Sequence, residues 1–94
     1  MTPHRLLATR RSVPAESTHE YETLWDRLRA AVSEAGGRGW RFRSPARPDL
    51  YLEFIESRAL DAVLANESVA GARRALDEAF GAATAEEWEE VTPS

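Results

Sequence analysis

Apolar and polar residues alternate most regularly between Trp40 and Ser57, and the rest of the chain reads outward from that stretch. Two arms, Trp40 to Ser44 and Leu50 to Ser57, flank Pro45-Ala46-Arg47-Pro48-Asp49. The two prolines in that turn fix φ and withhold ladder donors, so the pattern predicts a β-hairpin. Centred on Arg47, the pairing opposes Trp40 to Phe54, Phe42 to Leu52 and Ser44 to Leu50. The same register sets Arg41 against Glu53 and Arg43 against Tyr51 on the other face. A slip by one residue would oppose arginine to apolar side chains, so the pattern specifies its own register.

Leu6 to Val13 predicts a first strand stopped by Pro14. Leu7, Thr9, Arg11 and Val13 share one face and Leu6, Ala8 and Arg10 the other, and the pattern does not say which is buried. Ser17-Thr18-His19-Glu20 has the form of a capping box. Behind it Tyr21, Leu24, Trp25, Leu28, Val32 and Ala35 recur at steps of three and four, one apolar stripe of a helix. Gly36-Gly37 supplies a left-handed stop. After the hairpin, Ser57 can cap a second helix carrying Leu60, Val63 and Leu64. Asn66-Glu67-Ser68 competes with the helical backbone and predicts a break, after which Val69, Ala72, Leu76, Ala79 and Phe80 resume the stripe up to Gly81. Thr84-Ala85-Glu86-Glu87 reads as another capping box, with Trp88 and Val91 one turn apart. A short C-terminal helix is expected there, with a strand over Glu87 to Val91 as the alternative.

The order of elements predicts an α+β, ferredoxin-like antiparallel sheet with two main helices on one face. Trp40, Phe42, Leu50, Leu52 and Phe54 are expected to meet the helices. The other face, with Arg41, Arg43, Tyr51, Glu53 and Ile55, is too mixed for a solitary core and too aromatic for plain solvent. A second copy of the sheet is the expected cover, which makes these five the dimer face and desolvates the Arg41–Glu53 pair at the seam.

Composition narrows the function classes. Ninety-four residues suit one domain with a modest core that a subunit partner would support. A net charge of −4 argues against a nucleic-acid binder. All twelve basic residues are arginine, a pattern that coding bias accounts for more simply than twelve demands for a planar donor. With no cysteine there is no disulfide, thiolate metal site or cysteine nucleophile. No apolar run approaches the roughly 20 residues that span a bilayer, and Met1-Thr2-Pro3-His4-Arg5 leads into no signal core. A cytoplasmic protein with no membrane partner is expected.

An arginine-rich first strand, a first helix with Tyr21 and Leu24-Trp25, a Gly-Gly turn and the hairpin arm Leu50-Tyr51-Leu52-Glu53-Phe54 together resemble the dimeric α+β barrel superfamily. Within it the chain looks most like small proteins similar to antibiotic-biosynthesis monooxygenases and to NIPSNAP proteins. The likeness covers residues 5 to about 80 and is one of layout. It implies a ferredoxin-like protomer, a homodimer through the sheets, and a small apolar cavity between sheet and helices. Members include cofactor-independent oxygenases, haem-degrading enzymes and proteins without known activity. Haem-degrading members use an asparagine in the first strand, where this chain has Ala8, Thr9 and Arg10. Their later histidine and tryptophan also lack a match, since both histidines here precede residue 20. The fourth strand usual in the group is replaced or weakened in the tail.

No residue set commits to a reaction. His19, near the positive end of the first helix, and Tyr51, opposite Arg43, are candidates to move a proton. Each has a plainer reading, as a solvent-facing histidine and a cross-strand pair. Trp25, Leu28, Trp40, Phe42 and Phe54 are the candidate ligand pocket, although aromatic residues on apolar stripes are more often core. Arg10 and Arg11 could take an anionic ligand or form ion pairs at an edge. His4 and His19 have no carboxylate at ligand spacing, so no metal site is expected, and no cofactor motif is present. Two readings follow. One is a non-catalytic homodimer that can hold a small apolar ligand. The other is a cofactor-independent monooxygenase acting on an aromatic or apolar small molecule, which requires open space beneath the first helix.

Overall fold

The computed structural model describes residues 2–91. Strand β1 (Arg5–Ser12) runs through one turn of 3-10 helix, Ala15–Ser17, into helix α1 (Thr18–Glu34). Strands β2 (Arg38–Arg43) and β3 (Leu50–Ser57) form the hairpin, α2 (Leu60–Ala65) and α3 (Glu67–Phe80) the interrupted helix, and β4 (Thr84–Glu89) follows. The strands make one antiparallel sheet in the order β2-β3-β1-β4. This is the ferredoxin-like α+β arrangement that the order of elements predicts.

Local signals account for most boundaries. The hairpin register is the expected one, with Trp40 opposite Phe54, Arg41 opposite Glu53 and Phe42 opposite Leu52. Helix α1 ends in a Schellman motif: the Gly37 N–H donates to the Val32 carbonyl at 2.9 Å and the Gly36 N–H to that of Ser33 at 3.2 Å, with Gly36 at φ 91°. A Cβ on Gly37 would lie 3.0 Å from Val32 Cγ1 and 3.2 Å from the Glu56 carbonyl oxygen, so glycine lets this end of α1 close onto β3. Asn66 breaks the second helix as expected, its Oδ1 accepting from the N–H groups of Ser68 at 2.9 Å and Val69 at 3.2 Å.

Three expectations are corrected. Ser17 makes no side-chain cap, because it is itself the last residue of the 3-10 turn and takes its backbone from it; the Thr18 hydroxyl instead donates to the Ala15 carbonyl at 2.8 Å. The expected C-terminal helix is strand β4, which pairs with β1 from Arg5↔Glu89 to Arg10↔Thr84. A free β1 edge leaves a row of backbone donors and acceptors unpaired, and a ladder along it outweighs a local capping pattern.

The third correction concerns the faces of the sheet. Along β3 the odd positions are buried, so Tyr51, Glu53 and Ile55 lie under the protein's own helices with Leu7, Thr9 and Arg11 of β1. Arg41 also reaches α1, where it pairs with Glu22. Trp40, Phe42, Leu52 and Phe54 lie on the open face. The expected dimer face is therefore the core face, and the expected helix-covered face is the open one. Alternation sorts residues into two sets but does not say which set the helices cover. Here the charged members of this set are paired within the protomer, and that removes the penalty that made this face look unfit for a core.

Candidate functional site

Beneath α1 and α3, the centre of the sheet carries a buried cluster of charged and hydroxyl groups. Glu53 is 3% exposed and Arg11 4%. The Arg11 Nε donates to Glu53 Oε2 at 2.9 Å, and the Tyr21 hydroxyl donates to the same oxygen at 2.7 Å. Arg11 Nη1 reaches Asp77 Oδ1 of α3 at 3.2 Å. The strands place these groups: Thr9 opposes Glu53 and Arg11 opposes Tyr51, so Arg11 and Glu53 sit diagonally on one face. Tyr21 comes from the first inward position of the α1 stripe. Its ring packs 4.6 Å from that of Tyr51 and 5.8 Å, edge-on, from that of Phe80.

The electrostatics keep the Tyr21 hydroxyl protonated. Burial, and then the negative charge of Glu53, push the Tyr21 hydroxyl far above its ordinary range, so it stays neutral and donates. Arg41 lies over the rings of Tyr21, Trp25 and Tyr51 at 5.0, 5.5 and 5.8 Å and ends on Glu22. The hydrogen bond from Arg41 holds the Glu22 carboxyl below its ordinary value, against a smaller opposing effect of burial. Among the described residues the buried Arg41 Nη1 has no hydrogen-bond partner.

The free space beside this cluster is small. A cavity of about 40 Å³ is lined by Thr9, Arg11, Trp25, Leu28, Glu53, Ile55 and Asp77 among others. At roughly 10–15 Å³ per water that is room for about three waters, and no aromatic ring fits. The larger concavities lie elsewhere. On the open face, Leu6, Ala8, Leu52, Phe54 and Trp88, with Arg10, Thr84 and Glu86, line a mostly apolar recess of 360 Å³. Beside it Trp40 stacks on Phe54 at 5.3 Å and Phe42 meets Phe54 edge-on at 5.9 Å.

The expected ligand pocket is thus divided by the sheet. Trp25 and Leu28 are buried on the helix side, whereas Trp40, Phe42 and Phe54 form the aromatic patch on the other. Tyr51 is buried and packs on Tyr21, away from solvent, and His19 is exposed on the first turn of α1. Of the expected dimer-face residues, only Arg43 is exposed; Arg41 is half-buried against α1, and Tyr51, Glu53 and Ile55 are core. Arg41 pairs with Glu22, and Glu53 with Arg11, so the expected Arg41–Glu53 pair does not form. The Arg11–Glu53–Tyr21 cluster is not legible in the sequence because it needs the β1–β3 register, for which nothing local to β1 speaks. Charged residues at alternate positions of otherwise apolar strands were its one trace. Among the described residues there is no group of three His, Cys, Asp or Glu able to hold a metal, and no helix long and apolar enough to cross a membrane.

Comparison with known proteins locates the fold. No family model matches the sequence, and no curated protein matches it. Solved structures do match over nearly the whole chain. A conserved protein from Methanosarcina mazei superposes with a TM-score of 0.82 at 12% identity, covering 96% of this chain and 95% of that one. SnoaB from Streptomyces nogalater, a cofactor-independent oxygenase, gives 0.72 at 20% identity, covering 98% and 95%. A Bordetella bronchiseptica protein assigned to the antibiotic biosynthesis monooxygenases gives 0.74 at 13% identity, covering 96% and 99%. At such identities the likeness is one of fold, and the fold is that of the antibiotic-biosynthesis-monooxygenase-like proteins.

Proposed function

We propose that this chain works as a non-catalytic homodimer of single-domain protomers, joined through the open faces of their sheets and holding a small apolar ligand in the recess between them. The observation that carries this reading is the open face itself. Phe42 is 62% exposed and Trp88 57%, and they flank a surface continued by Leu6, Trp40, Leu52 and Phe54. A contiguous apolar patch of this kind marks a surface that meets another one. A second copy brings the same patch, so a two-fold pairing is self-complementary. The 360 Å³ recess has the size and lining of a small-molecule site.

The alternative is a cofactor-independent monooxygenase, the activity of one protein of similar fold. That chemistry needs a substrate held dry beside a proton-moving group. The space beside Glu53 and Arg11 is about 40 Å³, and His19 is exposed and does not line it, which favours the non-catalytic reading. Sedimentation equilibrium of the native chain and of Phe42→Glu tests the dimer. The native chain is expected at twice the protomer mass of 10.5 kDa, and the variant at that mass with its circular dichroism unchanged. A native chain that stays at 10.5 kDa at micromolar concentration removes the reading.

A further inference from the structure

Around the far end of β1, between the open face and the buried cluster, the chain gathers positive charge. A polar cleft of 330 Å³ lies there, between the end of β1, the hairpin turn and the loop that joins α3 to β4. Three arginines line it, Arg10, Arg11 and Arg47, with the hydroxyl residues Ser12 and Thr84 and the backbone of Gly81 to Ala83. No acidic side chain lines it, in a chain with sixteen acidic residues and a net charge of −4. Among the described residues neither Arg10 nor Arg47 makes an ion pair, whereas Arg5, Arg11 and Arg41 are all committed to carboxylates.

Arg11 makes the cleft a built feature. It is 4% exposed and held by Glu53 and Asp77, so it presents a fixed edge to the cleft floor. Gly81, at φ 88°, turns its carbonyl towards Arg11 Nη1 at 3.5 Å and so ties the joining loop to that floor. The two carboxylates around Arg11 neutralise it, and they lie outside the cleft lining. Arg10 and Arg47 remain, two guanidiniums brought from β1 and from the hairpin turn into one concavity. Like charges held together repel, and an oxyanion between them relieves the repulsion while matching the planar fork of each.

We propose that this cleft binds a small oxyanion, a phosphate or carboxylate group, gripped by Arg10 and Arg47 beside Ser12 and Thr84. The polar lining suits a hydrophilic body behind that group, and the cleft adjoins the apolar recess of the dimer reading, sharing Arg10 and Thr84 with it while Arg11, Ser12, Arg47 and the Gly81 to Ala83 loop belong to the cleft alone. The test is an amide nitrogen-15 NMR titration of the full chain with sodium phosphate and, separately, with sodium succinate, each at ionic strength held constant with chloride. Saturable shifts centred on Ser12 and the Gly81 to Thr84 backbone are expected with at least one anion, and the anion that produces them names the source. Arg10→Gln and Arg47→Gln should each weaken that binding at least tenfold, while Arg43→Gln, outside the cleft, leaves it unchanged. The amide spectrum of each variant reports that it is folded. Shifts that never saturate, shifts that all three variants weaken alike, or binding that survives Arg47→Gln would each overturn the proposal. Because Ser12 and Gly81 to Ala83 lie outside the recess lining, their shifts are distinguishable from the dimer measurement.

Discussion

Replacing Tyr21 by phenylalanine removes one oxygen and leaves the ring, so it isolates what the hydroxyl does for Glu53. The ring contacts with Tyr51 at 4.6 Å and Phe80 at 5.8 Å persist, and Arg11 Nε still donates to Glu53 at 2.9 Å. What is lost is a 2.7 Å hydrogen bond to a carboxylate that is 3% exposed. Hydrogen bonds to charged groups contribute about 1.5–3 kcal/mol, and a buried acceptor sits towards the upper end of that range. In a domain of this size about 1 kcal/mol moves Tm by roughly 4–8 °C, so a fall of about 10 °C or more is expected. Alkaline pH supplies a second, sharper signature. Burial and Glu53 raise the folded-state pKa of Tyr21 above its ordinary value of 10.0, so the folded protein keeps a proton that the unfolded chain releases. The contribution is therefore complete below pH 10.0 and is lost as pH rises towards the folded value, at about 1.4 kcal/mol per pH unit. Urea unfolding of native and Tyr21→Phe chains between pH 8 and 11 reads both effects. A destabilisation below about 0.5 kcal/mol, or an alkaline slope that survives the substitution, would refute the assignment of Tyr21 as the neutral donor to a buried carboxylate.

Two further perturbations test other joints of the structure. Asn66→Ala deletes the acceptor for the N–H groups of Ser68 and Val69 and should cost about 1 kcal/mol in urea unfolding, with amide exchange quickening first at the start of α3. Glu22→Gln removes the partner of Arg41. The bond from Arg41 lowers the folded-state pKa of Glu22 below its ordinary 4.5, so the contribution is present above that value and lost as pH falls through the folded one. The native and variant stability curves should therefore converge in acid, and parallel curves from pH 7 to pH 2 would argue against the pairing.

Much of the layout was legible because the relevant interactions are local. Gly36-Gly37 closes α1 through its own last carbonyls, Asn66 caps α3 within three residues, and the turn around Arg47 sets the hairpin register. The tail departs from its local pattern for the complementary reason. Thr84 to Glu87 satisfies a helix-start pattern by itself, and only the open edge of β1, some eighty residues earlier, makes the strand the better partner. Among the candidate pocket residues, Trp25 and Leu28 are buried on the inward side of α1, where its apolar stripe puts them. Trp40, Phe42 and Phe54 were correctly grouped with one another and assigned to the wrong layer.

The order of elements as far as α3, the ends of α1 at Gly36-Gly37 and of α2 at Asn66, the hairpin register and the two sets of side chains across the sheet were determined by the chain alone, since each follows from neighbours a few positions apart. Which set became the core was decided by tertiary structure. Glu53 could go inward only because Arg11 arrives from another strand and Tyr21 from a helix, and a buried carboxylate without such partners carries a desolvation penalty that would have turned the sheet over.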